Sequence, residues 1–140
     1  MRVLLDTHCF LWWIIDSPLL PPYARQVIAE GRNELFLSAA SGWEIAIKAH
    51  RGRLQLPQPP NRFIPEQLSR NHIQTLPVLM SHALHVCSLP NHHQDPFDRL
   101  LVAQAQFEHL PILTMDAEIV KYDVRVLGPD DRPASRQGTM

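Results

Sequence analysis

Asp95-Pro-Phe-Asp-Arg-Leu-Leu-Val-Ala-Gln-Ala105 sets two carboxylates, Asp95 and Asp98, three residues apart at the mouth of an almost wholly apolar helix. Asp95 has the side chain of an N-cap and Pro96 suits the first helical position. Leu100, Leu101, Val102, Ala103, Ala105 and Phe107 then leave the helix little polar face, so it reads as a central, largely buried element. Asp98 falls one turn in, on the same side as Asp95. The helix dipole favours an anion there, but apolar surroundings offer it little water. The rest of the chain has to compensate that charge.

Working outward, short apolar runs alternate with helical stretches. Val3-Leu4-Leu5 ends at Asp6 and has the pattern of a strand buried on both faces. Asp6 and Thr7 can cap a helix from about His8 to Ile15, and Pro22 opens another that runs to about Gly31. Leu35 to Leu37 is a second strand. Ser41 begins a third helix, Gly42 to about Arg51, closed by Gly52. Four prolines between Leu56 and Pro65 imply a loop, with Pro65 opening a short helix to His72. Ile73 to Leu76 reads as a strand, Ser81 to Ser88 as a helix and Leu89 to Gln94 as the loop into the central helix. Pro111 to Thr114 is the next strand, Asp116 caps a short helix to about Tyr122, and Val124 to Leu127 is a last strand. Residues 1–127 thus make one domain, and 128–140 a polar, flexible tail.

Apolar strands separated by helices indicate a three-layer α/β/α domain with a mostly parallel central sheet. The 140 residues suffice for a single core, with 45% hydrophobic and 19% charged residues. A net charge of -1 gives no global basic field, so any nucleic-acid contact must come from a local patch. Cys9 and Cys87 have no paired spacing, which suits a reducing compartment and argues against a disulfide framework or a thiolate zinc site. The apolar run Cys9 to Ile15 is too short to span a bilayer and follows an acid rather than a basic segment, so a soluble, cytoplasmic protein with no membrane partner is expected.

In parallel sheets the ligand site lies beyond the carboxyl ends of the strands. Asp6, Glu44, Asp98 and Asp116 all fall at that edge, from four separate parts of the chain. Each has a structural alternative. Asp6 and Asp116 suit N-caps, Ser41 and Glu44 have capping-box spacing, and Asp98 is a first-turn acid that suits the dipole. Their convergence is another matter, because two carboxylates about 5 Å apart repel by roughly 3 kcal/mol at an effective dielectric of 20. Hard carboxylate oxygens select Mg²⁺ or Mn²⁺, and an acidic cleft holding such an ion is suited to phosphoryl-transfer chemistry.

The segments Leu4-Leu5-Asp6-Thr7-His8, Trp43-Glu44-Ile45-Ala46-Ile47-Lys48, Asp95 to Ala105 and Leu113-Thr114-Met115-Asp116, in this order, resemble the motifs of the PIN-domain ribonucleases. More narrowly they resemble the VapC-type toxins of bacterial toxin-antitoxin pairs, over nearly the whole chain. The resemblance implies that Asp6, Glu44, Asp98 and Asp116 form the catalytic, metal-binding set, with Asp6 and Asp98 the securest ligands. Thr114 is then a supporting hydroxyl, and Asp95 a cap with a supporting electrostatic role also open to it. His8 stands where the family often has asparagine. The implied activity is Mg²⁺-dependent endoribonucleolytic cleavage of single-stranded RNA or an exposed loop by metal-activated water, leaving a 5'-phosphate and a 3'-hydroxyl, with Mn²⁺ as substitute. A homodimer and a cognate antitoxin that covers the cleft are the implied partners.

Other features weigh less. His82, His85, His92 and His93 match no zinc-ligand spacing, and the His92-His93 pair fits better as a cleft-side substrate contact or loop cap. Lys48, Arg51 and Arg53 follow Glu44 and can hold RNA phosphates, or simply suit a helix C-terminus. Adjacent Trp12 and Trp13 cannot share one core direction, which leaves one for an interface or the core edge. Two rivals remain: a catalytically inactive PIN-like RNA-binding or protein-interaction module, and a doubly wound signalling domain phosphorylated on Asp6. The second leaves Glu44 and the central motif without a purpose.

Overall fold

A computed structural model describes residues 1–129. Four strands, β1 (Arg2–Leu5), β2 (Glu34–Ser38), β3 (Ile73–Leu76) and β4 (Ile112–Leu113), form one all-parallel sheet in the order β3-β2-β1-β4. The helices are α1 (Thr7–Ile14), α2 (Pro22–Ala29), α3 (Ala39–His50), α4 (Pro60–Arg70), α5 (Met80–His85), α6 (Pro96–Glu108) and α7 (Ala117–Val120), with a 3₁₀ turn at Val86–Ser88.

The three layers follow from the alternation of side chains along each strand. Val3, Leu5, Leu35 and Leu37 point to one face, where Phe10 of α1, Val27 and Ile28 of α2, Ile45 of α3 and Phe63 and Ile64 of α4 cover them. Leu4, Phe36 and Ile112 point to the other, against Leu101, Val102 and Ala105 of α6 and Ile119 of α7. The unbroken apolar runs of β1 and β2 are therefore the mark of strands covered on both sides. Strand order reverses between β1 and β4, which places a crevice at their carboxyl ends, where Asp6 and Asp116 stand.

Several local expectations need correction. The Ser41–Glu44 capping box does not form: Ser38, the last residue of β2, is the N-cap of α3, its Oγ accepting from the Ala40 N–H at 3.0 Å. The chain passes from strand to helix with no loop, so Ser41 already lies inside the first turn. Helix α4 starts at Pro60, and Pro65 lies within it. Burial of Phe63, Ile64 and Gln67 on one side outweighs the lost hydrogen bond, because Pro65 is exposed and the freed carbonyl has access to water. The helix expected over Ser81 to Ser88 divides into α5 and the 3₁₀ turn, and the strand expected at Val124 to Leu127 is reduced to one parallel bridge, Ile112 to Val126. Gly52, at φ 72°, does follow the end of α3, as its spacing predicts. The tail expected from Gly128 lies, beyond residue 129, outside the described residues. No described helix is long and apolar enough to cross a membrane.

Candidate active site

Three helix N-termini meet at the carboxyl edge of β1 and β4, and an aspartate caps each. Asp6 Oδ1 accepts from the His8 N–H at 2.6 Å, Asp95 Oδ1 from Phe97 and Asp98 N–H groups at 2.9 and 3.2 Å, and Asp116 Oδ1 from the Glu118 N–H at 2.8 Å. Capping occupies one carboxylate oxygen of each residue and leaves the other for a second task. At Asp6 the second oxygen, Oδ2, accepts from the Thr114 hydroxyl, and Thr114 Oγ1 in turn accepts the Asp116 N–H at 3.0 Å. Thr114, 3% exposed, thereby ties the end of β1 to the turn after β4.

Asp98 stands among these groups. Burial pushes its carboxyl up to about 8, helped by the charges of Asp95 and Asp116, a hydrogen bond shared with Asp116, and the charge of Asp6. Asp6 is also raised, chiefly by burial, against the opposing hydrogen bonds from Thr114 and His8 and the charge of His8. Asp6, Asp98 and Asp116 are thus brought together, with Asp95 adding to their field.

Glu44 has partners of its own. It is buried on α3, its Oε2 is 3.0 Å from Lys48 Nζ, and its Oε1 takes a hydrogen bond at 3.0 Å from the Thr7 hydroxyl. Thr7 Oγ1 is also 2.7 Å from Ser41 Oγ, so Ser41 serves this network rather than a capping box. Glu44 faces a groove of about 480 Å³ whose walls include Lys48, Arg51, Arg53, Asp95 and Phe97. A second pocket, of about 250 Å³, is lined by Asp6, His8, Trp12, Met115 and Asp116. A larger cavity of about 530 Å³ lies at the far end of α6, around Gln106, His109 and Pro111, away from the acids.

The histidines divide between the two ends of α6. His82 is buried against Glu108 at 2.7 Å and His85 meets Gln106 at 2.8 Å, whereas His93 sits between Tyr122 at 2.7 Å and Asp98 at 3.4 Å. Asp98 and Glu108 are ten residues apart on one helix, about 15 Å, too far for a shared zinc. His92 packs edge-on against Tyr122 at 4.8 Å. The two tryptophans on α1 both lie partly buried against the core, and Trp13 Nε1 donates to Asn71 Oδ1 at 3.0 Å.

Sequence reasoning missed two contributors. Arg99 donates to the carbonyls of Pro90 and His93 at 2.8 and 3.4 Å and to the Tyr122 hydroxyl at 3.1 Å, pinning the loop that presents His93 to Asp98. Its charge beside Asp98 in the motif was the available signal. Thr7, read only as a cap, holds Glu44, and nothing in the local sequence points to that.

Among the described residues no three His, Cys, Asp or Glu side chains form a ready-made ligand set. The residues nevertheless fit a hard divalent cation in donor type and charge. Most of the converging donors are carboxylates, with His93 Nε2 3.4 Å from Asp98, and burial, helped by the neighbouring carboxylates, raises Asp98 far above its ordinary range.

Residues 3–125 match the PIN domain family, and the chain belongs to that family. Among named relatives, Ribonuclease VapC22 of Mycobacterium tuberculosis is 34% identical over 118 residues, 84% of this chain and 88% of its own length. Ribonuclease VapC16 of the same organism is 38% identical over 61 residues, 44% of this chain and 43% of its own. The fold is shared with VapBC2 from Rickettsia felis, solved bound to a promoter DNA fragment, at a TM-score of 0.70 and 12% identity, covering 91% of this chain and 98% of that one. A toxin-antitoxin complex from Klebsiella pneumoniae gives 0.64 at 14% identity, covering 91% and 97%. The resemblance to VapC-type PIN domains read from the four motifs is thereby borne out.

Proposed function

We propose that this protein is a Mg²⁺-dependent endoribonuclease, with Mn²⁺ as substitute, acting as the toxin of a toxin-antitoxin pair in the cytoplasm. The observation that carries the reading is the meeting of Asp6, Asp98 and Asp116 at the switch point, at an electrostatic cost to Asp98 that a divalent cation would relieve. The 34% identity over most of a relative named a ribonuclease supports it.

Asp6 and Asp98 would hold the ion, with Asp116 and Glu44 as further ligands, directly or through water. When bound, the ion supplies a lowered pKa for water and charge neutralisation at the phosphodiester. The chain's own residues supply the rest. Thr114 fixes the orientation of Asp6, the α1 and α6 N-termini offset part of the negative charge, and Asp95 holds the first turn of α6 in place. Lys48, Arg51 and Arg53 draw the RNA backbone into the groove next to the acids, Lys48 exchanging its bond to Glu44 for a phosphate. Cleavage would leave a 5'-phosphate and a 3'-hydroxyl. A homodimer and an antitoxin that covers the cleft complete the proposal, the latter in keeping with a fold shared with toxin-antitoxin complexes.

Two observations favour the inactive PIN-like module: Glu44 is already paired with Lys48, and no three-ligand set is preformed among the described residues. Incubation with RNA and Mg²⁺ or Mn²⁺, with and without chelator, decides. Metal-dependent cleavage abolished by Asp6→Asn or Asp98→Asn supports the enzyme, and equal cleavage by those variants rejects this site.

A further inference from the structure

Trp43 is 65% exposed on α3, an unusual position for the largest apolar side chain. Its ring is nevertheless supported, meeting Phe97 edge-on with centroids 5.5 Å apart and planes at 73°. Trp43 immediately precedes Glu44 and Phe97 immediately precedes Asp98, so the aromatic pair joins the two helices that carry these acids. Phe97 also lines the groove that holds Lys48, Arg51 and Arg53. The charges of this groove are mixed. Lys48 is paired with Glu44, and Asp95 caps α6. Arg51 and Arg53 are exposed, and among the described residues their guanidinium groups make no ion pair.

An exposed indole braced by Phe97, which itself lines a groove with two uncommitted guanidinium groups, has the chemistry of a single-strand nucleic-acid site, where cations take the phosphates and an aromatic face takes a base. We propose that Trp43, braced by Phe97, is a stacking platform for an unpaired base of the substrate. It makes the preferred RNA single-stranded beside the cleavage point, and the inference rests on the ribonuclease reading. A duplex would not use the platform, because its bases are already stacked on one another.

The test uses Asp98→Asn protein in chelator, so that binding is read without cleavage, against an unstructured RNA of about 12 nucleotides and a duplex of the same sequence. Trp43→Ala should weaken single-strand binding about tenfold, leave its salt dependence unchanged and leave duplex binding unaltered, while Trp43→Phe restores most of the affinity. In the cleavage-competent protein the same loss should fall on KM. Equal single-strand affinity in Trp43→Ala, an equal loss for duplex, or an effect on sedimentation instead of RNA affinity overturns the platform. If the wild-type protein cleaves RNA with Mn²⁺ and Trp43→Ala leaves KM unchanged, the platform fails and the ribonuclease reading stands. If the folded wild-type protein neither binds nor cleaves RNA, that reading fails and the platform falls with it.

Discussion

Replacing Asp98 by Asn should stabilise the metal-free protein while destroying its activity. Asp98 titrates at about 8 in the fold, against 3.8 as its ordinary value, because burial and the neighbouring Asp95, Asp116 and Asp6 disfavour its charge. A raised carboxyl means that the folded state keeps a proton which the unfolded chain releases, so this group makes stability fall as pH rises from about 4 to about 8. At pH 7 the difference of about three units corresponds to roughly 4 kcal/mol, an upper bound that relaxation of the site and water near the cleft reduce to about 1–3 kcal/mol. Asparagine has no such penalty. Thermal unfolding in chelator should therefore show Asp98→Asn melting roughly 3–10 °C above wild type near pH 8, with the gap closing towards pH 4. Millimolar Mg²⁺ should raise the wild-type melting temperature and leave the variant nearly unchanged, since an ion held only by the folded state stabilises it. An Asp98→Asn protein that melts at or below wild type at pH 8, or a gap that ignores pH, would refute the crowding argument.

Three further outcomes are expected. Thr114→Val removes the donor to Asp6 and the acceptor for the Asp116 N–H, and should lower kcat about 10- to 100-fold while costing about 1–2 kcal/mol in denaturant titration. Arg99→Met frees the loop that the guanidinium pins, lowering unfolding free energy by about 1–3 kcal/mol. Arg51→Ala combined with Arg53→Ala should reduce the slope of log affinity for single-stranded RNA against log salt by roughly 1.4, and an unchanged slope would remove both residues from the phosphate path.

The layered fold was legible because its signals are local. The apolar β1 and β2 runs require burial on both faces, and Asp95-Pro96 caps α6 as its chemistry demands. Misreadings came where two elements share a residue or packing overrides propensity. Ser38 ends β2 and caps α3 at once, whereas Ser41 has capping-box spacing to Glu44 without being the cap, and the buried face of α4 carries Pro65 along with it. At the site, the acids after β1 and β4 were legible from strand ends, and Asp98 from its motif. Ion pairing of Glu44 with Lys48 has the i,i+4 spacing that the sequence carries, whereas the Thr7–Ser41–Glu44 network, the bond from Arg99 to Tyr122 and the Trp43–Phe97 contact depend on side chains distant in sequence, which no local pattern records.

The most direct measurement is anomalous diffraction at the manganese edge from crystals of the protein grown with Mn²⁺. The account requires a peak in contact with Asp6 and Asp98, with Asp116 beside it, that disappears in Asp98→Asn crystals. Strong manganese density elsewhere on the surface, or none at these carboxylates when the ion is saturating, would contradict it.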